Sequence, residues 1–259
     1  MCEIFVMTHK ETAIPDIEGY IPLLVGACER EGLKQQYQYT DDQGINISVK
    51  NPHYCELTGM YWIWKNVQTD CVGVCHYRRF FSRSKFASTN ARFYLRKKEI
   101  CRLLKKYDII LPKARTEAGT IPEIVNIAPN RKDLDEMYEA IKVVSPQYMK
   151  DYEAFLNQNQ YYLYNMMICR KEIFDAYCAW LFPVLYYIEE RHDMSVESRY
   201  RQRLYGFLSE RLLYVWLHHN IPEKRRKEIR VVNTDESGFR MILHEWKNQY
   251  RAWKYRVRK

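Results

Sequence analysis

Asp70-Cys-Val-Gly-Val-Cys-His-Tyr-Arg-Arg-Phe-Phe81 is the stretch on which the fold turns. Cys71 to Cys75 is an unbroken run of small and β-branched apolar residues, the composition of a strand buried on both faces of a sheet. His76, Tyr77, Arg78 and Arg79 follow at once, where such a strand emerges. In open α/β sheets ligands bind beyond the carboxyl ends of the strands, so a strand running into a histidine and two arginines predicts an anion site. Arginine holds phosphate oxygens bidentately and stays charged at any relevant pH, which makes a diphosphate the expected ligand. The competing reading is structural: adjacent arginines on a continuing strand face opposite ways, and one of them then serves only as a surface ion pair.

Working outward, Glu3–Thr8 is a strand with His9-Lys10 at its end. Asn51-Pro52 resembles a helix cap followed by a first-turn proline. Leu57, Met60, Tyr61 and Trp64 recur at i, i+3, i+4 and i+7, which predicts one amphipathic helix over 52–66 with Trp62 and Trp64 in the core. The polar, basic segment Ser82–Arg96 is expected to be a mobile loop over the site. Lys97–Lys106 is a helix, Tyr107–Leu111 a strand stopped by Pro112, and 113–130 a functional loop without periodicity. A helix opens at Lys132. Tyr161–Cys169 is a strand candidate, Lys171–Arg191 and Arg199–His218 are long helices, and Ile229–Val232 is a last short strand. Strands and helices alternate early and helices dominate later, so the expectation is an α/β domain over 1–220, with a sheet half to about 130 and a helix-rich half beyond. Residues 221–259 form a basic extension.

The 259 residues are enough for a real core, and the 22 tyrosines suit either a core or the stacking of sugars and bases. The formal charge is +9, and most of it lies between Glu223 and Lys259, where twelve Lys and Arg face five Asp and Glu. No signal-peptide pattern opens the chain, and the longest apolar stretch, Tyr177 to Ile188, is too short to span a bilayer. A soluble cytoplasmic protein is expected. The eight cysteines form no CxxC pair and read as reduced thiols. Trp246, Tyr250, Trp253 and Tyr255 amid Lys and Arg suit an anionic membrane surface, with a solvated terminal helix as the alternative.

No Walker A sequence, GxGxxG, GxSxG or HExxH is present, which removes the common phosphate-loop, dinucleotide, hydrolase and zincin readings. A nucleotide-diphosphate site without a glycine loop remains, the situation of glycosyltransferases built on a nucleotide-binding sheet. His9-Lys10, Gly19-Tyr20, Val25-Gly26, Asn46-Ile-Ser48, Lys50-Asn51-Pro52, Tyr54-Cys-Glu-Leu-Thr-Gly59, Tyr61-Trp62, Trp64-Lys-Asn66 and Gly73 with His76-Tyr-Arg-Arg79 resemble bacterial glycosyltransferases of capsule, O-antigen and exopolysaccharide loci, a family long labelled as of unknown function. Leu163-Tyr-Asn-Met166, Trp180-Leu-Phe182, Gln202-Arg203 and Gly206 to Leu212 extend the resemblance to about Leu217. It implies a GT-A-like sheet, an inverting reaction and, as in studied members, transfer of galactofuranose from its UDP-sugar. The chain departs from the pattern at Pro129-Asn-Arg-Lys132, where members often carry a histidine, and at Asn165-Met-Met167.

On that resemblance, the place where GT-A enzymes commonly carry a metal-binding DxD is filled by His76-Tyr-Arg-Arg79, so transfer without a metal or other cofactor is expected. Arg78 and Arg79 neutralise the leaving UDP, with His76 and Lys10 as helpers. His9, Asn46, Ser48 and Tyr77 complete the donor-binding set. Direct displacement needs a carboxylate base. Asp133 is the first choice and Glu210 the second, against structural roles in which Asp133 caps a helix and Glu210 pairs with Arg203 or Arg211. Asp135, Asn165, Gln202 and Arg203 are candidate acceptor or sugar contacts, and the acceptor is expected to be a lipid-linked glycan. Asp133-Leu-Asp135 is also a literal DxD, which keeps open a UDP-hexopyranose transferase with a metal there. A nucleic-acid-binding basic protein and a non-catalytic scaffold are the rival classes; the basic excess at one end and the absence of a binding motif argue against nucleic acid.

Overall fold

The computed structural model describes residues 2–125 and 129–258. Strand β1 (Cys2–Thr8) pairs in parallel with β2 (Tyr20–Leu24), which pairs with the short β3 (Tyr39–Thr40) beyond α1 (Glu31–Lys34). Helices α2 (Asn51–Tyr54) and α3 (Leu57–Asn66) lead to β4 (Cys71–His76), parallel to β1 on its other side. β4 turns back through Tyr77-Arg78 into β5 (Arg79–Phe81). Helix α4 (Lys97–Leu104), β6 (Ile109–Pro112), β7 (Arg115–Thr116) and α5 (Ile121–Ile124) precede α6 (Arg131–Val144) and α7 (Met149–Leu156). Then come β8 (Gln160–Tyr161), β9 (Met167–Arg170), α8 (Lys171–Glu189) and α9 (Leu204–Asn220). The chain closes with β10 (Arg226–Ile229), β11 (Val231–Asn233) and α10 (Gly238–Arg258).

The sheet order is β10-β6-β9-β4-β1-β2-β3, with β9 antiparallel between β4 and β6, and with β5 and β11 paired off the end of β4. The period of two along each strand divides two apolar layers. Phe5, Met7, Val72 and Val74 face a large core built with α3, α6, α8 and α9. Ile4, Val6, Cys71 and Cys75 face a smaller one closed by Phe80, Phe81, Tyr94, Ile100 and Met241. At Gly73 the side chains of Ile4 on β1 and Ile168 on β9 fill the space over β4: a Cβ there would meet Ile4 Cδ1 at 2.5 Å and Ile168 Cγ1 at 3.0 Å.

Several expectations are corrected by tertiary contacts. The helix over 52–66 is two helices, because Cys55 takes φ 52° and the Asn51 side chain, rather than capping, spans the break to Cys55 O and Thr58 Oγ1. Ser82–Arg96 is no loop over the site. Ala87, Tyr94 and Leu95 are buried in the smaller core, where Tyr94 stacks on Phe80 at 4.5 Å and the segment, with α4 and the start of α10, covers that face of the sheet. Tyr161–Cys169 is not one strand: Tyr164 and Asn165 both sit at positive φ between β8 and β9. The thiols are not all reduced, since Cys2 and Cys71, partners across β1 and β4 with Cα atoms 4.3 Å apart, form a disulfide. Within the basic extension, the single short strand expected at Ile229–Val232 is two: β10 extends the sheet at β6 and β11 pairs with β5. Among the described residues no helix is long and apolar enough to cross a membrane.

Candidate active site

The parallel strands β1, β2 and β4 all end on one edge of the sheet, and a cavity of about 930 Å³ opens there. Met7, His9, Val25, His76 and Tyr77 form its floor from the strand ends, as the placement of ligands in open sheets requires. Arg78 and Arg79 come from the turn after β4, Arg30 from the start of α1, Arg199 and Arg203 from the approach to α9, and Arg211 from α9 itself. Against these six arginines stand two carboxylates, Glu56 and Glu210. The lining is therefore strongly cationic with a small acidic pole, suited to a phosphate-bearing ligand whose reacting end meets a carboxylate.

The backbone under this lining is held in unusual conformations. The Tyr164 peptide is clamped from both sides: its N–H donates to Glu210 Oε1 at 2.7 Å, and its carbonyl accepts from His76 Nε2 at 2.6 Å, with φ at 77°. Asn165, at φ 50°, donates from Nδ2 to Glu56 Oε1 at 2.9 Å and to the Gly206 carbonyl, and accepts from Ser209 Oγ at 2.9 Å. With Cys55 these are three of the four non-glycine positive-φ residues among those described. Such conformations cost about 1–3 kcal/mol each and persist only where the surroundings over-determine them. Here they aim His76, Glu56 and Glu210 at one space.

Burial sets the protonation states. It pushes the Glu210 carboxyl up to about 7, against the pull of Arg211, whose guanidinium lies 2.9 Å from Oε2, and of the Tyr164 N–H. Desolvation also lowers His76 and His9, and for His9 the nearby Arg30 adds to it, so both rings favour the neutral form. The guanidiniums are positioned by aromatic faces: Arg79 lies 4.4 Å from the Tyr164 ring centre and Arg211 4.4 Å from that of Tyr161. Arg78 is steadied by Asp235 at 3.0 Å, while its Nε is buried without a partner among the described residues.

Of the residues singled out from sequence, His9, His76, Tyr77, Arg78, Arg79, Arg203 and Glu210 meet in this cavity. Lys10 stands just outside, 4.9 Å from the Tyr77 ring centre. Asn165 lies beneath the lining, holding Glu56. The other expectations fail on geometry. Asp133 is fully buried away from the cavity, where it accepts from the Asn130 N–H at 2.6 Å and from both terminal nitrogens of Arg201 at 2.9 Å, the helix-cap role weighed against catalysis. Asp135, two residues on, is exposed on another face of α6, so the literal DxD does not converge. Asp133 instead neighbours Glu136 and His192, but Arg201 occupies both its oxygens and His192 is bonded on both nitrogens, to Glu136 and Glu197. That network is satisfied without a cation. Asn46 folds back onto the carbonyls of Asp42 and Gly44. Ser48 donates to buried Asp41, which also accepts from the N–H groups of Gly26 and Ala27 and so fixes the turn after β2. Gln202 does not line the cavity, and its carbonyl meets His53 Nδ1.

The sequence reading did not place Arg30, Arg199, Arg211, Tyr161 and Tyr164 in the cavity, and it left Glu56 undecided between a site carboxylate and a structural one. The run Arg199-Tyr-Arg-Gln-Arg203 was the available signal. Part of the 113–130 segment walls a neighbouring cavity of about 330 Å³ that shares Tyr161 and Arg211 with the first; residues 126–128 of that segment lie outside the described residues.

Residues 3–221 match the family described as Domain of unknown function (DUF4422). The chain belongs to that family. Among solved structures, this DUF4422 chain is similar to the apo structure of WbbM, a bifunctional glycosyltransferase, at 27% identity and a TM-score of 0.80 over 91% of this chain and 45% of that one. It thus spans less than half of WbbM. No curated protein matches the chain. The DUF4422 fold here is the GT-A-like arrangement that the resemblance implies, and the family match ends before α10.

Proposed function

We propose that the protein is an inverting glycosyltransferase that transfers a sugar from a UDP-sugar to a glycan acceptor. The observation that carries the reading is the convergence of six arginines with Glu210, its carboxyl pushed to about 7, at the carboxyl ends of β1, β2 and β4. Similarity to a bifunctional glycosyltransferase supports the reaction class. In the proposed step the acceptor hydroxyl oxygen attacks the anomeric carbon and its proton passes to Glu210. The bond from that carbon to the diphosphate breaks, and its electron pair leaves on UDP. Arg78 and Arg79 take up the charge that develops on the leaving group. A base whose pKa lies near neutrality serves this role best.

Glu210 replaces Asp133 as the base because Asp133 has no access to the cavity. His9 and Tyr77, whose rings meet edge to face at 5.5 Å, hold the nucleoside end, and Arg203 with Glu56 the sugar or acceptor end. The transfer is metal-independent, the guanidiniums doing for the diphosphate what a divalent ion otherwise does. Galactofuranose is the donor sugar, on the resemblance of the motifs around His9, Asn51 and His76, and the acceptor is a lipid-linked surface polysaccharide met at the cytoplasmic side of a membrane.

Calorimetric titration with UDP tests this, first in EDTA and then with Mn²⁺, on the native chain and on Arg78→Ala with Arg79→Ala. UDP is expected to bind in EDTA, and the double substitution to weaken it by roughly a hundredfold or more, as for two charge-assisted hydrogen-bonding groups lost. Binding that requires Mn²⁺ refutes the metal-free site, and no binding under either condition refutes the nucleotide reading.

A further inference from the structure

Helix α10 carries two stripes. Met241, Glu245, Asn248 and Tyr255 follow one another at spacings of three, four or seven and face the body. Met241 is buried, Glu245 holds Arg230 and Lys113, Asn248 exchanges hydrogen bonds with Thr116 N and Ala114 O, and Tyr255 donates to Asn157 O at 3.2 Å. Phe239, Leu243, Trp246, Tyr250, Trp253 and Val257 recur at alternating spacings of four and three and are 40% to 76% exposed. At about 100° per residue the second stripe lies about 200° around the helix from the first. A row of six large apolar side chains, four of them aromatic, therefore points directly away from the protein. At the amino end the Phe86 carbonyl lies 3.1 Å from where a Gly238 Cβ would stand, and Phe86 is itself 80% exposed.

The charges decide what covers this stripe. The positions that flank it carry Arg240, Lys247, Lys254 and Arg256 together with Ile242 and Gln249, and no acid. The one acid of the helix, Glu245, is on the inner face and already paired. Against a second copy of the helix these flanks would set like charges opposite one another, the reverse of what a coiled-coil pair requires. Aromatic side chains bordered by Lys and Arg are what the boundary between anionic headgroups and acyl chains accommodates. We propose that α10 is an interfacial helix whose Phe239–Val257 stripe docks the protein on an anionic lipid surface. The inner face of the same helix, through Met241, Glu245 and Asn248, walls a groove of about 220 Å³ that shares Arg79, Leu163 and Tyr164 with the large cavity. Docking through α10 would therefore hold the helix that walls this groove, next to the candidate site, on the membrane. The docking itself is independent of the glycosyl-transfer reading.

The test is co-sedimentation of the full chain with phosphatidylcholine vesicles, with and without about one-third phosphatidylglycerol, at low and at high salt. The expected result is binding to the anionic vesicles that salt weakens, and binding at least about tenfold weaker to phosphatidylcholine alone. Trp246→Ser with Tyr250→Ser and Trp253→Ser, and separately Lys247→Glu with Lys254→Glu, are each expected to lower the anionic binding by at least about tenfold. The changed side chains are exposed, with Lys254 half-buried, and none lines the cavity, so both variants should keep the native unfolding midpoint and UDP binding. Tryptophan fluorescence should shift to the blue on adding anionic vesicles to the native chain but not to the serine variant. Failure of the native chain to bind, or equal binding by native and variant chains, overturns the proposal. So does a dimer in light scattering that the serine variant abolishes, which would assign the stripe to a second copy. UDP binding without vesicle binding leaves the enzymatic reading intact, and the converse separates the two in the other direction.

Discussion

Replacing Glu210 by glutamine isolates the cost of ionising a carboxylate inside the cavity. Burial raises this carboxyl from its ordinary 4.5 to about 7, and the side chain is only 12% exposed. A tenfold change in proton affinity is worth about 1.4 kcal/mol between the protonated and ionised forms, so the ionised form is disfavoured in the fold by about 3 kcal/mol. The folded pKa lies above the unfolded one. Stability associated with this group is therefore fully present below pH 4.5, declines between pH 4.5 and 7, and is lost above. Glutamine keeps the hydrogen bond from the Tyr164 N–H through its Oε1, gives up the ion pair with Arg211, and cannot ionise. Urea unfolding of both proteins across about pH 4.5 to 8 measures the effect, because groups common to the two cancel in the difference. Relative to the native chain, Glu210→Gln should gain about 3 kcal/mol between the two ends of that range, even though transfer activity falls. A difference that stays flat with pH would refute the reasoning, because the carboxylate would then ionise as readily in the fold as in the unfolded chain. It would also remove the ground for treating Glu210 as a base tuned to neutrality.

Asp133→Ala should cost about 2–4 kcal/mol in urea unfolding, since it leaves the Arg201 guanidinium to Glu197 alone and removes the carboxylate half of the capping box on α6. UDP affinity should remain within about threefold, because Asp133 does not line the cavity; a selective loss of activity with native stability would restore its catalytic role. Gly73→Ala should cost about 1–3 kcal/mol by forcing a methyl group between Ile4 and Ile168, and a substitution without effect on the melting temperature would contradict the tight packing of those two side chains over Gly73.

The parts legible in the sequence were those in which a single segment carries its own physics. The run Cys71–Cys75 has no polar side chain, so it reads as a buried strand, and the charges that follow it mark its exit. The periodicity of 171–191 and 199–218 gave long helices for the same reason. Reading 52–66 as one helix failed because a local pattern does not reveal that Cys55 adopts positive φ under the hold of Asn51 and Thr58. The strand pattern of Tyr161–Cys169 breaks at Asn165 because the conformation there is imposed by partners 41 and 109 residues away. Asp133 and Glu210 show the limit most clearly. Both are acids on helices within the region of family resemblance, and what separates a capped, guanidinium-bound carboxylate from a desolvated one at a cavity wall lies in other segments.

By itself, the sequence determined the alternation of elements, the strand ending in two arginines, the aromatic basic tail and the absence of the familiar phosphate loops. These are properties of adjacent residues, or of residues three and four apart, and need no folded neighbour. Tertiary structure alone decided that Arg30, Arg199 and Arg211 join Arg78, Arg79 and Arg203, that Glu210 and not Asp133 faces them, and that the tail supplies two strands before its helix turns an apolar stripe outward. The reason is that desolvation and charge proximity act through space. A residue's pKa, its partner and its exposure are set by whichever segments the sheet order brings beside it.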